Sequence, residues 1–95
     1  MPQLTRKERR ERVAQEVFKL MQTEYPMIEA SDRLALCDQL ALRLRHRGAH
    51  LGFSVDRRDV ALAIRWLVAK EKARAGHIYR FSDGERVYRV NLLRF

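Results

Sequence analysis

Apolar residues recur along this chain with a helical period three times and then switch to a strand period. Val13, Val17, Leu20 and Met21 stand at i, i+4, i+7 and i+8, one stripe of a first helix. Thr5 followed by Glu8 has capping-box spacing and places its start. Pro26 ends it near Glu24 or Tyr25, because the residue before proline avoids helical dihedrals. Leu34, Leu36, Cys37, Leu40, Ala41 and Leu44 give a second helix an unusually wide apolar surface. Ser31 or Asp32 can cap it, Gly48 ends it after Arg47, and its width predicts a central helix touching two neighbours. The pattern shows no strand between these two helices.

Residues 48–55 read as a two-glycine loop with apolar anchors at Leu51 and Phe53. Asp56 and Asp59 then resemble another N-terminal cap. Val60, Ala63, Ile64, Leu67 and Val68 follow at i, i+3, i+4, i+7 and i+8, the cleanest amphipathic pattern in the chain. Lys70, Lys72 and Arg74 crowd the predicted last turns, where cations suit the helix dipole, and Gly76 is the expected stop. The tail changes period. Ile78 to Phe81 and Arg86 to Val90 are β-prone runs around Asp83-Gly84, a two-residue turn signal. That turn would set Tyr79 opposite Tyr88, with Phe81 and Val90 on the same packed side. Arg80 and Arg89 would emerge on the other side with Ile78 and Val87. The fold class is therefore α+β and mostly α, three helices followed by a C-terminal β-hairpin. Residues 1–95 make one domain, with 1–12 a fraying helix start.

Charge sharpens this picture. Residues 1–42 carry seven basic and seven acidic side chains, whereas residues 43–95 carry thirteen basic against five acidic. The whole formal charge of +8 thus lies in the second half, a field suited to a polyanion. The first turns, Thr-Arg-Lys-Glu-Arg-Arg-Glu-Arg, look basic, but Glu8 and Glu11 offset them. Arginine dominates the basic residues, and it favours bidentate phosphate contacts and stacking on bases.

Candidate chemistry is sparse. A single cysteine, Cys37, excludes a disulfide framework and a multi-cysteine zinc site, and reads as a packed core thiol. His46 and His50 form an i, i+4 pair that Gly48 interrupts, so no metal site is expected. No phosphate-binding loop, dinucleotide fingerprint or nucleophile elbow occurs, and no catalytic constellation is visible. We expect no enzyme, no cofactor and no small-molecule substrate. The opening residues lack the apolar stretch of a secretory signal, and no run approaches the roughly 20 apolar residues of a membrane span. A cytoplasmic location without a membrane partner is the expectation. A homodimer is one way for so small a core to gain burial.

Two basic surfaces stand out. Arg57, Arg58 and Arg65 lie off the apolar stripe of the third helix, and Arg58, Arg65 and Lys72 recur every seven residues, a row able to track a phosphate backbone. Arg74 continues it. Arg80, Arg86 and Arg89 interleave with Tyr79 and Tyr88 on the hairpin, where arginines can reach a backbone and the tyrosines are expected chiefly in the core. Arg43, Arg45 and Arg47 extend the patch.

Tyr25-Pro26 at the end of a helix, a leucine-rich helix through Leu40, Ala63-Ile64-Arg65, Tyr79 entering the hairpin, and Gly84-x-Arg86-Val87 leading to Leu92 follow in an order that resembles the ProQ/FinO domain of bacterial RNA chaperones. The resemblance spans residues 13–92. It implies a regulator or chaperone that grips structured RNA through Arg58, Arg65, Tyr79 and Arg80. The same elements also resemble a winged helix, which implies a DNA-binding regulator. There the third helix would meet the major groove through Arg57, Arg58 and Arg65, and Arg86 on the wing the adjacent backbone. The long loop after Gly48 and the missing strand between helices one and two rank this second. A protein–protein module, such as a small inhibitor or antitoxin acting on an acidic partner, ranks third. RNA is thus favoured over DNA as the nucleic-acid partner.

Overall fold

A computed structural model describes residues 4–46 and 54–93 of the chain. The expectations placed on Gly48, Leu51, Phe53, Arg47 and His50 fall outside the described residues. The elements run α1 (Arg6–Thr23), β1 (Met27–Ala30), α2 (Arg33–His46), α3 (Arg57–Ala69), β2 (Ala73–Tyr79) and β3 (Arg86–Leu92). The class is α+β and mostly helical, as the periodicity predicts.

The predicted caps form. Thr5 Oγ1 accepts the Glu8 amide at 3.1 Å, Asp32 accepts that of Ala35 at 2.8 Å, and Asp56 and Asp59 make a reciprocal capping box. Each satisfies orphan amides that a helix start leaves open. The predicted stripes then meet in one core. Val13, Val17, Leu20 and Met21 of α1 pack with Leu36, Leu40 and Leu44 of α2 and with Val60, Ile64 and Leu67 of α3, all almost wholly buried. Cys37 lies in this core, as expected. Leu34 does not: it stands 54% exposed on the outer side of α2, so that helix's buried surface is narrower than its sequence suggests.

The first correction is a strand. Met27–Ala30 forms β1 between α1 and α2 and pairs antiparallel with β3, placing Ile28 opposite Val90 and Ala30 opposite Tyr88. The sheet order is β1-β3-β2, so the expected hairpin is two thirds of a sheet. Its inner face carries Ile28, Ala73, Ala75 and Val90 onto the helices, and its outer face carries Glu29, Arg74 and Arg89.

The second correction shortens α3. It ends at Ala69, not near Gly76, which lies inside β2. Lys72 donates its amide to Leu67 O at 2.9 Å and Glu71 to Val68 O at 3.0 Å, closing a Schellman turn with Glu71 at φ 58°. Pairing of Ala73–Tyr79 with β3 wins over local helix propensity, because each paired residue satisfies its backbone in the sheet and Ala73 is buried.

The third correction concerns the hairpin. Its register sets Tyr79 opposite Arg86 and His77 opposite Tyr88, a slip of two residues from the expected pairing. A two-residue slip keeps every side chain on its face, so Tyr79 still shares a side with Tyr88 and Val90. The loop is longer than two residues because Asp83 Oδ1 accepts the Glu85 amide at 3.0 Å and the Arg80 guanidinium closes on the same carboxylate. Gly84 takes the left-handed φ of 70° within this turn. Phe81, expected to pack, is fully exposed at the tip.

Candidate nucleic-acid interface

The structure sorts the arginines by whether an acid holds them. Arg57 starts α3 and points back to α2, where Nε and Nη2 donate to the two oxygens of Asp38 at 2.8 and 2.6 Å. That pairing raises the Arg57 pKa and holds the Asp38 carboxyl below its usual range. Arg80 donates to Asp83 at 2.8 Å and Glu85 at 3.1 Å, and approaches Glu29 at 3.9 Å. Arg89 donates through Nε and Nη2 to Glu29 across the β1–β3 pair. Arg80 and Arg89 therefore form one acid-linked cluster on the outer face of the sheet.

Arginines of α2 are also committed. Arg43 donates to the Tyr25 hydroxyl and lies over that ring at 4.3 Å, and Arg45 donates twice to Val55 O. Neither extends the basic patch. Lys72 leaves the row expected with Arg58 and Arg65, because the helix has ended before it. Its ammonium sits 5.0 Å from the Phe18 ring and 5.7 Å from Trp66, against α1.

Arg58, Arg65, Arg74 and Arg86 have no acidic partner among the described residues. Arg58 and Arg65 are two turns apart on the exposed stripe of α3 that also carries Ala61 and Val68. Arg86 stands directly opposite Tyr79, on the sheet face that looks toward the helices but beyond the core. Tyr79, expected in the core, is 72% exposed there. Tyr88 is half-buried, with the His77 ring edge-on at 5.2 Å. Arg58 and Arg65 thus share the exposed stripe of α3, Arg65 borders one cleft with Ala75 and Tyr88, and Tyr79 and Arg86 lie further along the same sheet face as Tyr88. Arg74 lies on the opposite sheet face, with Arg80 and Arg89.

Two contributors were not legible in the sequence reading. Arg33, at the start of α2, carries no acidic partner among the described residues and lines a cleft with Arg65 and Tyr88. Phe81, expected in the core, crowns the hairpin. A capping position beside Asp32 hides the first, and strand alternation hides the second. Arg9, by contrast, is structural: it donates to Asp59 at 2.9 Å and to Ser54 O at 3.1 Å, fastening α1 to the cap of α3. The described part of the N-terminal run is helical from Arg6.

No cluster of three metal-ligating side chains occurs among the described residues, and no described helix is long and apolar enough to cross a membrane. Compared with known proteins, the chain matches no family model, no curated protein and no solved structure.

Proposed function

We propose that this protein binds nucleic acid through the exposed stripe of α3 and the facing side of the β2–β3 hairpin. The observation that carries this reading is the sorting of its arginines. Acids hold Arg80 and Arg89 on the outer sheet face and Arg57 between helices. Arg58 and Arg65 on α3 and Arg86, opposite Tyr79 on the helix-facing side of the sheet, stand uncompensated; of the outer-face arginines Arg74 alone shares that state among the described residues. An arginine already paired with a carboxylate offers little to a phosphate, whereas an unpaired one offers a fork of donors.

The polymer favoured is duplex DNA, bound in the manner of a winged helix. The support is the element order, helix-strand-helix-helix-strand-strand with the first strand against the last. The strand whose absence told against that reading is β1. In such docking α3 enters the major groove and the hairpin follows the adjacent backbone. A ProQ/FinO-like hold on structured RNA is the second reading. Exposed Tyr79 and Phe81 favour it, since unpaired bases stack on such rings. It would have to manage without Arg80, which three carboxylates surround.

A mobility-shift titration with duplex DNA and hairpin RNA across a salt series separates the readings. Preference for duplex, with affinity falling steeply in salt, is expected. Preference for the hairpin would exchange the two readings, and no shift with either at low salt would remove both. Arg58→Ala/Arg65→Ala is expected to weaken binding about tenfold to a hundredfold with an unchanged melting temperature. An equal loss of affinity in Arg10→Ala/Arg12→Ala, which leaves the Arg9–Asp59 pair in place, would move the contact surface to α1.

A further inference from the structure

A cleft of about 260 Å³ lies between α3, the start of α2 and the inner face of the sheet. Two guanidiniums line it from different elements, Arg33 of α2 and Arg65 of α3, and among the described residues no carboxylate does. Elsewhere Asp59, Asp38 and Glu29 stand beside Arg9, Arg57 and Arg89, and Arg43 and Arg45 are taken up by the Tyr25 hydroxyl and the Val55 carbonyl. Two cations facing one space without a counter-ion repel each other, and an anion between them removes that cost. The other walls are not ionic. Ile64, Val68 and Ala75 supply an apolar floor, and the half-buried Tyr88 ring with its hydroxyl forms one side. Burial pushes the Tyr88 phenol above its ordinary value, partly offset by Arg33, so its hydroxyl is a neutral donor at neutral pH.

Size limits the occupant. Ligand pockets start at roughly 300 Å³, so this cleft admits one ring system and one anionic group and little more. We propose that the cleft seats a nucleoside phosphate, its ring on the apolar floor beside Tyr88 and its phosphate between Arg33 and Arg65. The same ring-and-phosphate chemistry comes from a free mononucleotide or from one unpaired nucleotide of a bound strand. The inference goes beyond the binding surface proposed above, because it stands without a polymer.

The test uses the full ¹⁵N-labelled chain and adenosine 5′-monophosphate, followed by amide shifts. Shifts are expected at Arg65, Val68, Ala75 and Tyr88. Adenosine and inorganic phosphate are each expected to bind at least about tenfold more weakly, since each lacks half of the contacts. Arg33→Gln, and separately Arg65→Gln, should weaken the nucleotide about tenfold or more while melting like the parent. Arg74→Gln, on the other sheet face, should leave it unchanged. Phosphate binding as tightly as the nucleotide, or equal losses in Arg33→Gln and Arg74→Gln, would overturn the proposal.

A second arm compares a continuous duplex with the same duplex carrying one unpaired adenosine. Tighter binding of the latter, abolished by Arg33→Gln, identifies the strand as the source. Equal binding of the two duplexes, with nucleotide shifts retained, identifies the free nucleotide. No effect in either arm overturns the seat. Nucleotide shifts without any duplex binding leave the seat standing and remove the polymer surface.

Discussion

Glu71 holds the left-handed region, φ 58°, at the point where α3 turns into β2. A side chain there meets its own backbone at a cost of about 1 kcal/mol, which glycine avoids. The Schellman hydrogen bonds to Leu67 and Val68 require that conformation, and no ion pair of Glu71 offsets it among the described residues. Glu71→Gly is therefore expected to stabilise the protein by up to roughly 0.5 kcal/mol in urea unfolding, once the greater freedom of glycine in the unfolded chain is subtracted. Destabilisation would mean that the carboxylate contributes more than the turn costs. Cys37 shows the opposite relation of residue and site. Burial raises its thiol pKa and leaves it a small apolar side chain at neutral pH.

At the scale of elements, one carboxylate joins α1 to α3. Asp59 accepts the Asp56 amide as part of the cap and takes both Nε and Nη2 of Arg9. Burial pushes its pKa up, but the hydrogen bonds from Arg9 and the Asp56 amide outweigh it and hold the carboxyl below its ordinary value. A carboxyl depressed in the folded state gives stability above the unfolded pKa of about 4, lost as pH falls through the lower folded value. Asp59→Asn is expected to cost about 1 kcal/mol at pH 7, and its unfolding curve should converge with the parent's as pH drops below about 4. A gap persisting at pH 2 would place the loss in shape rather than charge. The neighbouring Asp38–Arg57 pair ties α2 to α3 at a more exposed position, where solvent screens it.

For the whole molecule, the decisive property is how its positive charge is divided. Glu29, on the short strand β1, faces both Arg80 and Arg89 and removes them from the surface field. Arg86, three residues before Arg89, points to the other face and stays uncompensated. The two arginines of one strand are therefore expected to fail differently. Arg86→Ala should weaken nucleic-acid binding severalfold and lower its salt slope by about one unit, without changing the melting temperature. Arg89→Ala should cost about 1 kcal/mol of stability and leave affinity nearly intact. Equal losses of affinity in both would place the outer face in contact with the polymer.

The three helices, their N-terminal caps, their core stripes apart from Leu34 and Val68, and the alternation of faces along the hairpin were determined by the sequence alone. Each depends on spacings of a few residues, where local hydrogen bonding and burial agree. Even the slipped hairpin register kept its faces, because strand alternation has a period of two. Tertiary structure decided the rest. Four residues around Ile28 become a strand only through β3, whose Arg89 stands 60 positions from Glu29. Lys70 to Arg74 carry helix-like composition, yet sheet pairing turns them out of α3. The partners of Arg9, Arg57, Arg80 and Arg89 are likewise fixed by packing across elements, apart from the acids of the hairpin turn. A charge count places +8 in the second half of the chain, but only the fold separates cations already satisfied from those left facing a partner.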